Sequence, residues 1–340
     1  MRPPRNPISR ARARRRLAAL VAGLALAACG PQAQDDHPFR VALLTPGSIA
    51  DGGWNAGAWA GLEAIRDQLG AEVRHVETRT PAEFEEGFRD FAGRGFDLVF
   101  GHGFEYQEAA ARVGAEFPGT IFVTTSGNTL RANVAPMVFE LEQATYLLGF
   151  LAGRMSRSGV LGLVGGRDLP SIRSTFIAFR AGAEAARPDV RVREVFLGNF
   201  DDSAAAREAA QALLEEGADF LMHQANDAGR GVFLAVSERA KRGDRVFAFG
   251  INRNQNEMAP EVVLASATID IPAAFVEVAR RVRDGSFRAE PLRLGLADGI
   301  VAVEWNPALA GAIPPALRDE VSALEARIRS GELVVPRGAF

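Results

Sequence analysis

The chain has 340 residues, 47% hydrophobic and 24% charged, which is the composition of an ordinary globular protein long enough for two domains. Seven of its 39 basic residues and none of its 42 acids fall in residues 1–28, so the remainder holds 32 basic against 42 acidic residues, a net charge near −10. That balance excludes nucleic acid as the expected partner, because phosphate binding requires a basic footprint. One cysteine, Cys29, rules out an internal disulfide.

The first elements concern export. Arginines from Arg2 to Arg16 precede the apolar run Leu17–Ala28, which ends Leu26-Ala27-Ala28-Cys29. A basic head, a short apolar middle and small residues before a cut site predict a secretory signal over 1–28. Twelve apolar residues fall short of the roughly 20 that span a bilayer. The Leu-Ala-Ala-Cys close resembles the bacterial lipobox, which implies lipidation (palmitate among the acyl chains) at Cys29 and a tether over 29–37. The expected location is the cell envelope, anchored to a membrane.

Strand-like and helix-like segments then alternate. Phe39–Thr45, Ala71–Glu77, Asp97–Gly101 and Thr120–Thr125 read as buried strands between the helices Asn55–Leu69, Pro81 onward and Glu105–Glu116. Thr80-Pro81-Ala82-Glu83 is a capping box with proline at the first helical position. A second series follows: helix Leu141–Met155, strand Val160–Val164, helix Ile172–Ala186, strand Val190–Phe196, helix Ala204–Glu216, strand Asp219–His223, helix Arg230–Lys241 and strand Arg245–Gly250. The pattern predicts an α/β protein of two Rossmann-like lobes with parallel sheets and a hinge. Strand Val262–Ala267 and helix Ala273–Asp284 are too little for a third domain. The expected division is 38–136 plus about 251–270 for the N-terminal lobe, 137–250 plus about 271–310 for the C-terminal lobe, and a tail over 311–340.

Ligands of open parallel sheets bind at the loops beyond the carboxyl ends of the strands. After the first strand comes Pro46–Asn55, with Ser48, Asp51, Trp54 and Asn55 as candidate contacts. After the third come His102, Phe104 and Tyr106, where an aromatic could stack on a planar ligand or pack under the next helix. The loop Gly165-Gly166-Arg167-Asp168 lacks both G-x-G-x-x-G and a P-loop lysine, which argues against phosphate. Two further loops, Gln224–Gly231 and Ile251–Asn256, are dense in amides, with Asn226, Asp227, Gly229 and Asn252 as candidates. No H-E-x-x-H, G-x-S-x-G or thiol pair occurs, so neither a metal, a cofactor nor an enzyme activity is expected.

These loops carry a resemblance. Asp51-Gly52-Gly53-Trp54-Asn55, Gly101–Phe104, Tyr146–Gly149, Gly162–Gly166, Gly217–Asp219 and Gly250–Gln255, in that order from Phe39 to Pro307, resemble the basic membrane protein family of lipoproteins. These are substrate-binding components of ABC importers with the type I periplasmic-binding-protein fold, and the best-understood members bind purine nucleosides. The resemblance implies base recognition by Asp51 and Asn55, stacking by Trp54, a second stacking aromatic near Thr175 that Phe176 would supply, and a glycine-rich loop at Gly229 and Gly231. It implies a lipid-anchored solute-binding protein with a permease and an ATPase as partners, and a cleft that must open and close favours a monomer; the alternative is a sensory lipoprotein that reports occupancy to a membrane receptor. Two positions depart from the pattern. Asn252 stands for an acid and Ile269 for a lysine that grip the ribose in nucleoside binders, which implies a flat ring whose sugar is absent or differently held.

Overall fold

Strands of three to seven residues, the central ones apolar runs rich in β-branched and aromatic side chains, form two six-stranded sheets. In the computed structural model, which describes residues 37–338 together with Met1 and Phe340, the first sheet holds β1 (Arg40–Thr45), β2 (Glu72–Glu77), β3 (Leu98–Gly101), β4 (Ile121–Thr125) and β5 (Val134–Phe139). Cys29 and the candidate signal lie outside the described residues. A late strand, β11 (Leu292–Leu294), joins beside β5, giving the order β11-β5-β4-β3-β1-β2, parallel throughout. The second sheet contains β6 (Val160–Gly165), β7 (Arg191–Phe196), β8 (Phe220–Gln224), β9 (Phe247–Asn252), β10 (Val263–Ile269) and β12 (Val301–Trp305). Its order is β12-β10-β9-β8-β6-β7, with only β12 antiparallel.

Helices cover both faces of each sheet. In the first lobe these are α1 (Trp54–Leu69), α2 (Pro81–Gly93) and α3 (Gln107–Glu116); α1 ends at Gly70, which takes the left-handed φ of 66° at its C-cap. The Thr80–Glu83 capping box forms as the sequence implies, with both reciprocal hydrogen bonds present. In the second lobe they are α4 (Glu142–Met155), α5 (Pro170–Ala186), α6 (Ser203–Glu215) and α7 (Gly229–Lys241).

The late segments overturn the expected division. The segment placed with the first lobe, about 251–270, contains β10, which pairs with β9 in the second sheet. The following helix, α8 (Ile271–Arg283), belongs to the first lobe, where Gly57 and Gly61 of α1 admit Ile271 and Phe275; a Cβ on either glycine would lie 2.8 or 3.0 Å from them. β11 stays with the first sheet and β12 returns to the second. The chain therefore crosses between lobes three times, at 140–141, at Asp270 and at 295–300. These crossings bond to one another: Glu140 N–H donates to Leu294 O at 2.9 Å, and Asp270 N–H to Ile300 O at 2.7 Å. The expected tail also carries structure. It holds α9 (Pro315–Arg329), with Leu317, Val321 and Ile328 buried and Glu320 paired with Arg154 of α4 at 2.9 Å.

The tightest helix packing in the second lobe rests on glycine. A side chain at Gly149 of α4 would collide with the Phe179 carbonyl of α5, and one at Gly182 with the carbonyl of Tyr146. Gly149→Ala should therefore destabilise the protein by about 2 kcal/mol in urea unfolding, although the same exchange in an open helix gains about 1 kcal/mol. An unchanged or raised midpoint would contradict this packing.

Glu142, in the first turn of α4 beside the first crossing, is buried, and neither carboxylate oxygen has a hydrogen-bond partner. Its nearest cation is Arg337, at 3.5 Å. Burial pushes the carboxyl up to about 7, with Arg337 opposing. The folded protein thus holds a proton here that the unfolded chain releases near the ordinary carboxylate range, so stability falls as pH rises from about 4.5 to about 7. Glu142→Gln should raise the melting temperature at pH 8, equivalent to as much as about 3 kcal/mol, and leave it nearly unchanged at pH 4.5. An equal effect at both pH values would refute the assignment.

Candidate functional site

The parallel strands of both sheets end at the same gap between the lobes, and their loops enclose about 630 Å³ of space free of atoms, mouth included. On the first-lobe side the walls are Pro46 after β1, Trp54 at the start of α1, Gly103, Phe104 and Glu105 after β3, Ser126 after β4, and Phe139 and Leu141 around the first crossing. Opposite stand Leu169 before α5 and Ser171, Ile172 and Thr175 in its first turns, Phe200 after β7, Gln224 at the end of β8 and Asn226 beyond it, Asn252 at the end of β9 and Ile269 at the end of β10. Phe340 also lines this space.

Three of these residues share an unusual backbone. Ser126, Asn226 and Asn252 have φ of 61°, 47° and 66°, and they are the only non-glycine residues with positive φ among the described residues. Left-handed conformations cost a residue with a Cβ roughly 1 kcal/mol or more, and such strain gathers at binding sites. Here each one lies at the carboxyl end of a strand or within two residues of it, and brings a small polar side chain to the cleft.

Trp54 is held from behind. Its indole stacks on the His102 ring at 4.0 Å between centroids and 22° between planes, and Phe139 meets it edge-on at 6.0 Å. His102 Nε2 lies 3.1 Å from Trp54 O, so that nitrogen carries the proton and donates, while Nδ1 accepts from Thr125 Oγ1 at 3.2 Å. Burial lowers the ring to about 3, which keeps it neutral as the platform requires. Its donor is thereby occupied within the protein, and Tyr106, fully buried and bonded to Thr78 Oγ1 at 2.8 Å, belongs to the core.

The structure gives several expected contacts other work. Asp51 accepts from the backbone N–H groups of Gly53, Asn55 and Ala56, all at 2.9 Å, and so anchors the first turn of α1 behind Trp54. Burial raises its carboxyl despite those three donors. Asn55 is buried in the same turn, with Oδ1 unpartnered, and does not line the cleft. Ser48 makes a loop turn, accepting from Ala50 N–H at 3.1 Å. Phe176 points away from the cleft into the core, against Phe196 at 5.4 Å, so it is Thr175 that faces the space. Asp227 pairs with Arg230 at 2.8 Å, and Arg230 Nη2 donates across the gap to Ala50 O at 3.1 Å, a direct link between the lobes. Gly229 is needed for packing, because any side chain would strike the His223 ring; at Gly231 one would strike the Ser203 carbonyl. Of the expected residues, Trp54, Phe104, Asn226 and Asn252 meet in the cleft.

Asn252 is locked in place by a buried network. Its Nδ2 donates to Gln224 Oε1 at 3.1 Å. Gln255 Oε1 accepts from Ile251 N–H at 2.8 Å and from His223 Nε2 at 3.1 Å, and Gln255 N–H donates to Ser266 Oγ at 3.1 Å. Burial lowers His223 to about 4, consistent with a neutral ring donating from Nε2. Sequence reasoning missed Phe200, whose only signal is an aromatic residue amid a polar loop; Gly166 makes room for it, since a side chain there would meet its ring. It also passed over Glu105, one acid among 42.

Comparison with known proteins agrees with this architecture. Residues 39–336 match the family described as ABC transporter substrate-binding protein PnrA-like. Basic membrane protein A2 of Borrelia garinii subsp. bavariensis is 25% identical over 305 residues, covering 87% of this chain and 88% of its own. A purine-binding protein of Brucella abortus is 25% identical over 318 residues, covering 93% and 87%. The solved ABC transporter solute-binding protein of Conexibacter woesei superposes with a TM-score of 0.71 at 32% identity, over 88% of this chain and 99% of its own. The chain belongs to the PnrA-like, basic membrane protein family of ABC transporter substrate-binding proteins.

Proposed function

We propose that this protein is lipid-anchored through Cys29 and delivers a purine nucleobase, nucleoside or related flat heterocycle to an ABC permease and its ATPase. The observation that carries the reading is the convergence of the three left-handed residues with Trp54 on one cleft. His102 supports one face of the indole, and Trp54 borders the cleft where a ligand ring would stack on it. The uncharged amides Gln224, Asn226 and Asn252 then supply directional hydrogen bonds from the second lobe, and closure of the lobes brings the two walls onto the ligand. The purine-binding relative from Brucella abortus supports the ligand class. Asn252 and Ile269 both line the cleft where the family resemblance implies an acid and a lysine for the ribose. Replacing both removes the pair together and leaves neither charge stranded. The ring is therefore the recognised part, and the sugar is absent or held by other groups.

A thermal-shift panel of nucleobases, ribonucleosides and flavins tests this, since a ligand of the folded state raises the melting temperature by mass action. The expected result is a shift with free purine bases at least as large as with their ribonucleosides. Ribonucleosides clearly outbinding bases would overturn the lost ribose grip, and no shift with any ring would overturn the ligand class. Trp54→Ala should weaken the bound ring by about tenfold to a hundredfold, the worth of one stacked base, read by titration calorimetry. For the anchor, Cys29→Ser should move the protein from the membrane fraction to the soluble fraction; unchanged fractionation would contradict lipidation.

A further inference from the structure

Glu105 is the one residue with an ionisable side chain among the described residues 37–338 that line the cleft. It follows Phe104 in the short turn that leaves β3. Its carboxyl folds over Gly103, where a Cβ would lie 2.5 Å from Oε2, so the glycine fixes where the acid sits. Among the described residues no ion pair within 4.0 Å involves Glu105, and no other side chain donates to it. Burial raises its carboxyl, while its own backbone N–H and the more distant Arg167 pull the other way. The remaining polar groups offer weaker acceptors, and some are already engaged: Thr175 Oγ1 donates to Ile172 O at 2.7 Å, and Asn252 Nδ2 to Gln224 Oε1 at 3.1 Å. A half-buried carboxyl whose only donor is its own backbone N–H, in a cleft walled by Trp54, Phe104, Phe139 and Phe200, keeps acceptor capacity free for a ligand.

Resting on the heterocycle reading above, we propose that Glu105 is the specificity-determining residue of this site: its two carboxylate oxygens accept two adjacent N–H donors from the ligand edge. The matching pattern is a ring N–H beside an exocyclic amino group, as on the 2-amino edge of a 6-oxopurine. A carboxylate meets such paired donors with two parallel hydrogen bonds, as it does a guanidinium. The same ring without the amino group supplies one donor and leaves the second oxygen buried and unpaired.

The test is calorimetric titration of the purified protein with 9-methylguanine and with 9-methylhypoxanthine, which differ only by that amino group. The expected result is about tenfold or more tighter binding of 9-methylguanine, the worth of one charge-assisted hydrogen bond. In Glu105→Gln, where one acceptor becomes a donor, the preference should shrink to within about twofold. A role confined to folding would weaken both ligands alike. Equal affinities in the unmodified protein, or a preference that survives Glu105→Gln, would overturn the assignment. The first comparison needs no variant and stands even if Glu105→Gln does not fold. Binding of other rings with no donor preference would defeat this inference alone; binding of no ring at all would defeat the heterocycle reading with it.

Discussion

The three crossings between lobes are the constraint on which the site depends. Because the chain passes at 140–141, at Asp270 and at 295–300, the carboxyl ends of two parallel sheets face one gap. Segments at the ends of β1, β3, β4 and β5 in one lobe and of β6 to β10 in the other then wall the same cleft, and the strained turns at Ser126, Asn226 and Asn252 converge there. Three arrangements fix the walls: the Gln255 network behind the strained Asn252, the His102 platform behind Trp54, and the Asp51 anchor at the start of α1. All three are buried, neutral or backbone-bonded arrangements, so they hold the walls without adding charge to the cleft. Glu105 stands out against that background as the one acidic side chain among the described residues that line the cleft.

Much of the fold is legible in the sequence because each lobe repeats strand and helix with clean changes of period. The apolar run before Thr45 and the capping box at Thr80–Glu83 fold as they read, with Phe84, Phe88 and Phe91 buried behind the box. Lobe membership is not legible in the same way. A strand such as Val263–Ile269 carries no mark of which sheet it will extend, and the small residues Gly57 and Gly61 that receive α8 lie more than 200 residues earlier. β5 is hidden by Pro136, which is tolerated because β11 pairs only from Met137 onward. β11 has three residues and β12 is half exposed, so neither shows a buried run.

The site shows the opposite balance. The motif that carries the family resemblance, Asp51 to Asn55, does its work one layer behind the ligand space: Asp51 and Asn55 build the turn, and only Trp54 reaches the cleft. Gly229 and Gly231 read as a ligand loop and serve instead to let rings and helices approach. The offset at Thr175-Phe176 turns the aromatic into the core, and Phe200 comes from another loop to line the cleft. A resemblance of motifs locates the site, while the identity of the side chains that face a ligand depends on register and packing that one-dimensional spacing does not contain.

A crystal structure of the protein with the tightest-binding heterocycle of the panel tests the central claim most directly. The expected result is the ring stacked on Trp54 within the cleft, with Asn226 or Asn252 bonded to it from the second lobe. A ligand seated outside the interlobe cleft, or one held chiefly through a sugar, would contradict it.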